Sequence, residues 1–138
     1  MKKVIFLITV ILLFGITATG QSLEKGNLVG THVVTVDLKP GVTTEQWQTF
    51  ILEKYIPELE KYYEGFKIFL VKGIRGPNIN SYGFLWVIKS EKHRDKYFQA
   101  DGEYNEQGLM ILEKLNPIMD ELEKLGTFTY EYTDWIVL

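Results

Sequence analysis

Histidine is the side chain that takes up or gives off a proton near neutral pH, and this chain has two of them. His32 lies in THVVTVDLK (residues 31 to 39), where Val34, Val36 and Leu38 share its alternation, so it sits on the more apolar face of a strand. There it could serve an enclosed ligand as base or orienting donor. The plainer expectation is a strand-end histidine bonded to water or backbone. Tyr82 and Trp86 share one strand face, and Tyr130 and Tyr132 share another. Their phenol and indole groups could hold an aromatic or haem-like ligand by stacking and hydrogen bonding, or simply fill the core of a dimer. Arg75, in IRGPN, could grip an anionic group bidentately, although an exposed loop arginine is the default.

Other chemistry is absent from the sequence. His93 lies among Glu91, Lys92, Arg94, Asp95 and Lys96, which reads as a solvated helix face, whereas an axial haem ligand needs an enclosed pocket. DGEYNE (101 to 106) carries carboxylates but lacks the calcium-loop register, and no P-loop, dinucleotide fingerprint, zinc-protease or nucleophile-elbow motif occurs. The absence of cysteine removes disulfides, thiolate nucleophiles and thiolate metal sites together. No metal and no cofactor are therefore expected.

Lys2, Lys3, the apolar run Val4 to Phe14 and the small residues ending at Gly20 form a secretory signal pattern, with cleavage expected before Gln21. The run is shorter than the roughly 20 residues that span a bilayer, which leaves an N-terminal membrane anchor as the minor alternative. The expected location is secreted or periplasmic, with no stable membrane association after cleavage. The layout is then a signal peptide (1–20), a linker (21–30) and one domain (31–138). The net charge of −3 becomes −5 once both lysines leave with the signal, and with no basic run nucleic acid is not an expected partner.

These candidates are positioned by an alternation of strand and helix patterns. Residues 31–39 read as a strand, and Thr43 with Gln46 forms a capping-box pattern opening a helix that runs to about Tyr63, kinked or broken at Pro57 and ended by Gly65. Strands over 66–74 and 82–89 follow, joined by the loop 75–81. Ser90 caps a short helix over 91–98, ADGEYNEQG (100 to 108) interrupts, and a longer helix runs from about Glu106 to Leu125. Its apolar stripe is Ile111, Leu115, Ile118, Leu122 and Leu125, Pro117 should bend it, and Gly126 stands at the C′ position. TFTYEYTDWIVL (127 to 138) is a final, aromatic-rich strand. The order is that of an α+β, ferredoxin-like βαββαβ sandwich, a four-stranded antiparallel sheet with the helices on one face.

Two helices cover one sheet face, yet the middle strands are apolar on both. Phe66, Ile68, Leu70 and Ile74 oppose Phe69 and Val71, and Phe84, Trp86 and Ile88 oppose Leu85 and Val87. A second copy packed against the open face would bury it, with about 1,000 Å² of apolar surface over both subunits worth on the order of 25 kcal/mol before association costs. In that pairing the end of the last strand could reach across the interface.

HVVTVDLKPGVTTEQWQTF (His32 to Phe50) resembles the opening strand and helix of the stress-responsive A/B barrel domains, and the element order is similar to that of the wider dimeric α/β barrel superfamily. The resemblance implies a homodimer with a pocket between sheet and helices or inside the barrel, and by position His32 matches a pocket-lining histidine. That superfamily includes cofactor-independent monooxygenases, haem-degrading enzymes and small cyclases, although a second histidine near the later strands is absent here. The expectation is an exported homodimer binding a small apolar or aromatic molecule. The alternatives are a cofactor-independent monooxygenase or cyclase using His32, and a non-catalytic structural or interaction module.

Overall fold

The computed structural model describes residues 22–138, so the signal pattern and its cleavage site lie outside the described residues. The chain runs β1 (Leu28–Leu38), α1 (Thr44–Phe50), a π-helical turn (Ile51–Tyr55), α2 (Ile56–Tyr62), β2 (Phe66–Lys72), β3 (Tyr82–Ile88), α3 (Glu91–Arg94), α4 (Glu106–Leu125) and β4 (Gly126–Ile136). The four strands form one sheet in the order β2-β3-β1-β4, with every neighbouring pair antiparallel. This is the expected βαββαβ arrangement. β1 starts three residues earlier than its β-branched run suggests, taking Leu28 to Gly30 from the expected linker into the sheet.

The first helical segment begins where the capping box places it. Thr43 N–H donates to Gln46 Oε1 at 2.8 Å, and Gln46 N–H donates to Thr43 Oγ1 at 3.2 Å. Removing the hydroxyl in Thr43→Ala is expected to cost about 1 kcal/mol of unfolding free energy, read by urea denaturation; an unchanged midpoint contradicts the role given to the box. Pro57 neither breaks nor simply kinks the helix. The backbone widens instead, with Ile56 N–H bonding to Ile51 C=O, and this π-helical turn leads into α2 with proline in its first turn, where no donor is required.

Three local expectations are corrected. α3 stops at Arg94, and the Ser90 hydroxyl does not cap it but lies 2.8 Å from His93 Nδ1. Gly126 is extended (φ 171°) and passes directly into β4; its lack of a side chain matters because a Cβ there would collide with the Asp37 carbonyl of the neighbouring strand. β2 ends at Lys72, so Ile74 is not on its helix-facing side but 76% exposed in the following loop. By contrast α4 matches its predicted span, with Ile111, Leu115 and Leu122 buried and Pro117 retained inside it.

Strand pairing assigns the faces, because directly opposed residues point the same way. Leu28, Gly30, His32, Val34, Val36 and Leu38 share the helix-covered face with Tyr82, Phe84, Trp86 and Ile88 and with Phe66, Ile68 and Leu70. Trp47, Ile51, Tyr63 and Leu115 are the most completely buried large side chains between the layers. The opposite face carries Val33, Phe69, Val71 and Trp135, which are 38%, 41%, 42% and 59% exposed. Leu85 lies between them on β3 and is partly exposed, whereas Val87 beside it is already buried in the single chain, so the open apolar surface expected there exists around Val33, Leu85 and Phe69. It occupies only part of the face. Thr35 and Asp37, with Thr127, Thr129 and Glu131, make the far corner polar.

Candidate functional site

A cavity of about 300 Å³ opens between the helix-covered sheet face and the helices. Its floor follows from the register. His32 on β1 lies directly opposite Tyr132 on β4 and diagonal to Trp86 on β3, with all three side chains standing on one face. The imidazole stacks against the Trp86 indole (centroids 5.1 Å apart, 20° between planes) and against the Tyr132 phenol (5.5 Å, 22°), with Tyr130 tilted at 5.6 Å. Three strands thus build a row of rings standing up from the sheet toward the helices. Leu59 and Tyr55 line the cavity from the first helical segment, and Leu112, Leu115 and Met119 line it from α4.

The interrupting segment 100–105 closes one side. Phe98 and Tyr104 bridge as a short antiparallel pair, and Gln99 N–H donates to the Glu103 carbonyl at 2.7 Å. The segment turns at Gly102, whose φ of +92° favours glycine and whose Cα lies so close to the Tyr132 hydroxyl that any side chain would collide with it. Arg94 fastens the same region: its Nη1 donates to the Gln99 carbonyl at 2.7 Å and its Nε to Asp134 Oδ2 at 3.3 Å, joining the end of α3 to β4.

The electrostatics of the site are set mainly by burial. Burial lowers the His32 pKa below its ordinary 6.5, and the nearby Asp134 carboxylate opposes this in part. The His32 ring nitrogens accept or donate no hydrogen bond among the described residues, so a neutral imidazole is free to act on a bound molecule. Burial pushes the phenols of Tyr55 and Tyr63 well above their ordinary range, reinforced at both by Tyr104, and raises Tyr104 as well. These groups remain neutral donors. Because the folded His32 pKa lies below the unfolded one, the unfolded chain binds the proton more readily. His32 therefore adds a destabilisation that grows as pH falls from about 6.5 through the folded pKa. Urea melts at a series of pH values should show this loss reduced in His32→Gln; an identical pH dependence in both proteins contradicts the assignment.

Of the residues singled out in the sequence, the structure brings His32, Trp86, Tyr130 and Tyr132 together. Tyr82 shares their sheet face but lies away from the cavity, accepting from Gln48 Nε2 at 2.8 Å and packing edge-on against Trp47 at 4.9 Å. Arg75 is exposed in the β2–β3 loop, away from the cavity. Tyr55, Arg94, Tyr104 and Asp134 are lining residues that sequence reasoning passed over. Asp134 shares the alternation of Tyr130 and Tyr132 and was legible from it; Arg94 ends the short helix α3 and Tyr104 sits in the interrupting segment, and neither has an apolar periodicity that would aim it at the cavity. No group of three or more potential metal ligands occurs among the described residues, and none of their helices is long and apolar enough to cross a membrane.

No family model matches the chain, and no curated protein matches it. Among solved structures, an uncharacterised NIPSNAP-like domain protein from Burkholderia xenovorans is similar over 83% of this chain and 88% of that chain, with 10% identity and a TM-score of 0.52. The cofactor-independent oxygenase SnoaB from Streptomyces nogalater aligns over 82% of this chain and 94% of that chain, with 14% identity and a TM-score of 0.48. A dimeric ferredoxin-like protein of unknown function from Thermobifida fusca aligns over 86% and 99%, with 12% identity and a TM-score of 0.38. The first likeness shows the fold, and at such identities none of the three assigns an activity.

Proposed function

We propose that this chain, whose ferredoxin-like fold is that of the dimeric α/β barrel superfamily, acts as an exported homodimer that binds a small, planar, mostly apolar molecule between its sheet and helices. The observation that carries this is the cavity lining. Eight of its 18 residues are Phe, Tyr or Trp, an aromatic enclosure large enough for a two-ring compound. An unfilled centre counts against a purely structural module, whose own side chains would occupy it. The uncovered apolar patch around Val33, Leu85 and Phe69 supports pairing with a second copy, and the charged-then-apolar opening of the sequence supports export.

One specific feature favours a catalytic second reading. His32 is neutral, without a hydrogen-bond partner among the described residues and on the cavity floor, so it could remove a proton from a bound substrate, as a cofactor-independent monooxygenase or cyclase would require. The test of the binding function is calorimetric titration with 2-isopropylnaphthalene. Micromolar binding is expected, weakened at least tenfold in Leu112→Trp, which fills the cavity from α4. No binding, or binding indifferent to that substitution, contradicts the proposal.

A further inference from the structure

Resting on the catalytic reading of His32, we infer that Asp134 is its positioning residue, joined to it through one hydrogen-bonded water beside Gly30, so that Arg94, Asp134 and His32 form a chain fixing which imidazole nitrogen is free to take a substrate proton. Gly30 and Asp134 are directly opposed across β1 and β4, and His32 stands two residues further along β1 on the same face. A Cβ on Gly30 would lie 3.0 Å from Asp134 Oδ1, 3.4 Å from His32 Nε2 and 3.4 Å from Trp86 Cβ. A carboxylate oxygen and a ring nitrogen thus converge on the notch that the missing side chain leaves. Neither positive φ nor a close backbone approach calls for glycine there, since all three neighbours are side-chain atoms. Arg94 fixes the carboxylate from its other side, with Nε donating to Oδ2 at 3.3 Å while Nη1 is tied to the Gln99 carbonyl at 2.7 Å. Oδ1 is left for the notch.

The chemistry of the two groups sets the direction of the bridge. A carboxylate only accepts, so His32 Nε2–H donates to the water and the water donates to Oδ1, which leaves the ring's lone pair on Nδ1. A proton leaving a bound molecule goes to Nδ1, and the electron pair of the broken bond stays on that molecule. The imidazolium that forms is then stabilised by the carboxylate, which both orients the ring and offsets its charge. The Asp134 charge already acts on His32 in this sense, raising its pKa against the larger lowering by burial. The other titratable groups on the cavity do not take this part. They are the phenols of Tyr55, Tyr104, Tyr130 and Tyr132, which as a class carry no charge near neutral pH, and Glu103, exposed at the rim.

Nitrogen-15 spectra of the ligand-free protein, titrated across neutral pH, read the His32 pKa and tautomer together. In wild type the neutral ring should be mainly the Nε2–H tautomer. Asp134→Asn keeps the shape and removes the charge, so the His32 pKa should fall by about half a unit or more and the two tautomers should become more evenly mixed. Gly30→Ala puts a methyl group into the notch and displaces the water; it meets only side-chain atoms, so the strand can accept it, and it should produce the same fall. The resonances of His93, outside the cavity, should not move in either variant. A merely structural role for Asp134 would not shift the tautomer. A His32 pKa unchanged in Asp134→Asn, or an Nδ1–H tautomer in wild type, overturns the positioning role. Because no ligand is needed, the predicted shifts found without turnover of any aromatic compound support the chain and count against the catalytic reading alone.

Discussion

Replacing Trp47 by alanine lowers the unfolding free energy by about 3–5 kcal/mol, a large share of what a domain of this size has. Trp47 is 1% exposed and lies where α1 meets the sheet, edge-on to Tyr82 at 4.9 Å and stacked on Phe128 at 6.2 Å. Truncation leaves a void bordered by two strands and a helix, none of which can close it without moving the sheet. The indole Nε1 is itself buried without a partner among the described residues, a liability of about 1–3 kcal/mol. Trp47→Phe removes that orphaned donor along with part of the ring, so the two effects oppose and stability should stay within about 1.5 kcal/mol of wild type. Urea denaturation of both variants reads the contrast; equal losses for alanine and phenylalanine contradict this description of the packing.

Val33→Asp is expected to weaken self-association by roughly a thousandfold while leaving the subunit folded. Val33 is near the middle of the uncovered face, on a central strand, and 38% exposed in the single chain. Around a twofold axis the substitution enters the interface twice, and each unpaired carboxylate there costs several kcal/mol, of which about 4 kcal/mol in total is enough for the effect. In the separated subunit the same aspartate faces water and costs little. Sedimentation velocity at micromolar concentration should show a dimer for wild type and a monomer of native circular dichroism for the variant. A wild-type monomer contradicts the pairing outright.

Much of this architecture was legible because it is written in periodicity. Val34, Val36 and Leu38 placed His32 on the covered face, Phe69 and Val71 exposed a second apolar face, and the stripe from Ile111 to Leu122 fixed α4. What stayed hidden depends on geometry that no local pattern encodes. Pro57 announced a disturbance, but whether the helix breaks or widens into a π turn is decided by packing on both sides of it. Tyr82 and Trp86 share a strand face, yet four residues of rise separate the Gln48 contact of one from the cavity of the other. Tyr104 and Arg94 belong to the site only because a segment without regular structure folds back against β4, held by Gly102 under Tyr132 and by Arg94 on Asp134.

The proposed function turns on an aromatic molecule occupying the cavity whose floor is His32, Trp86 and Tyr132. Nitrogen-15 correlation spectra of the two imidazoles test it most directly, with His32→Gln supplying the assignment. The expected result is a His32 pKa below 6.5 in the free protein, and His32 resonances that move on addition of 2-isopropylnaphthalene while those of His93, outside the cavity, stay in place. Resonances of His32 indifferent to a saturating ligand, or displacement of His93 alone, would contradict it.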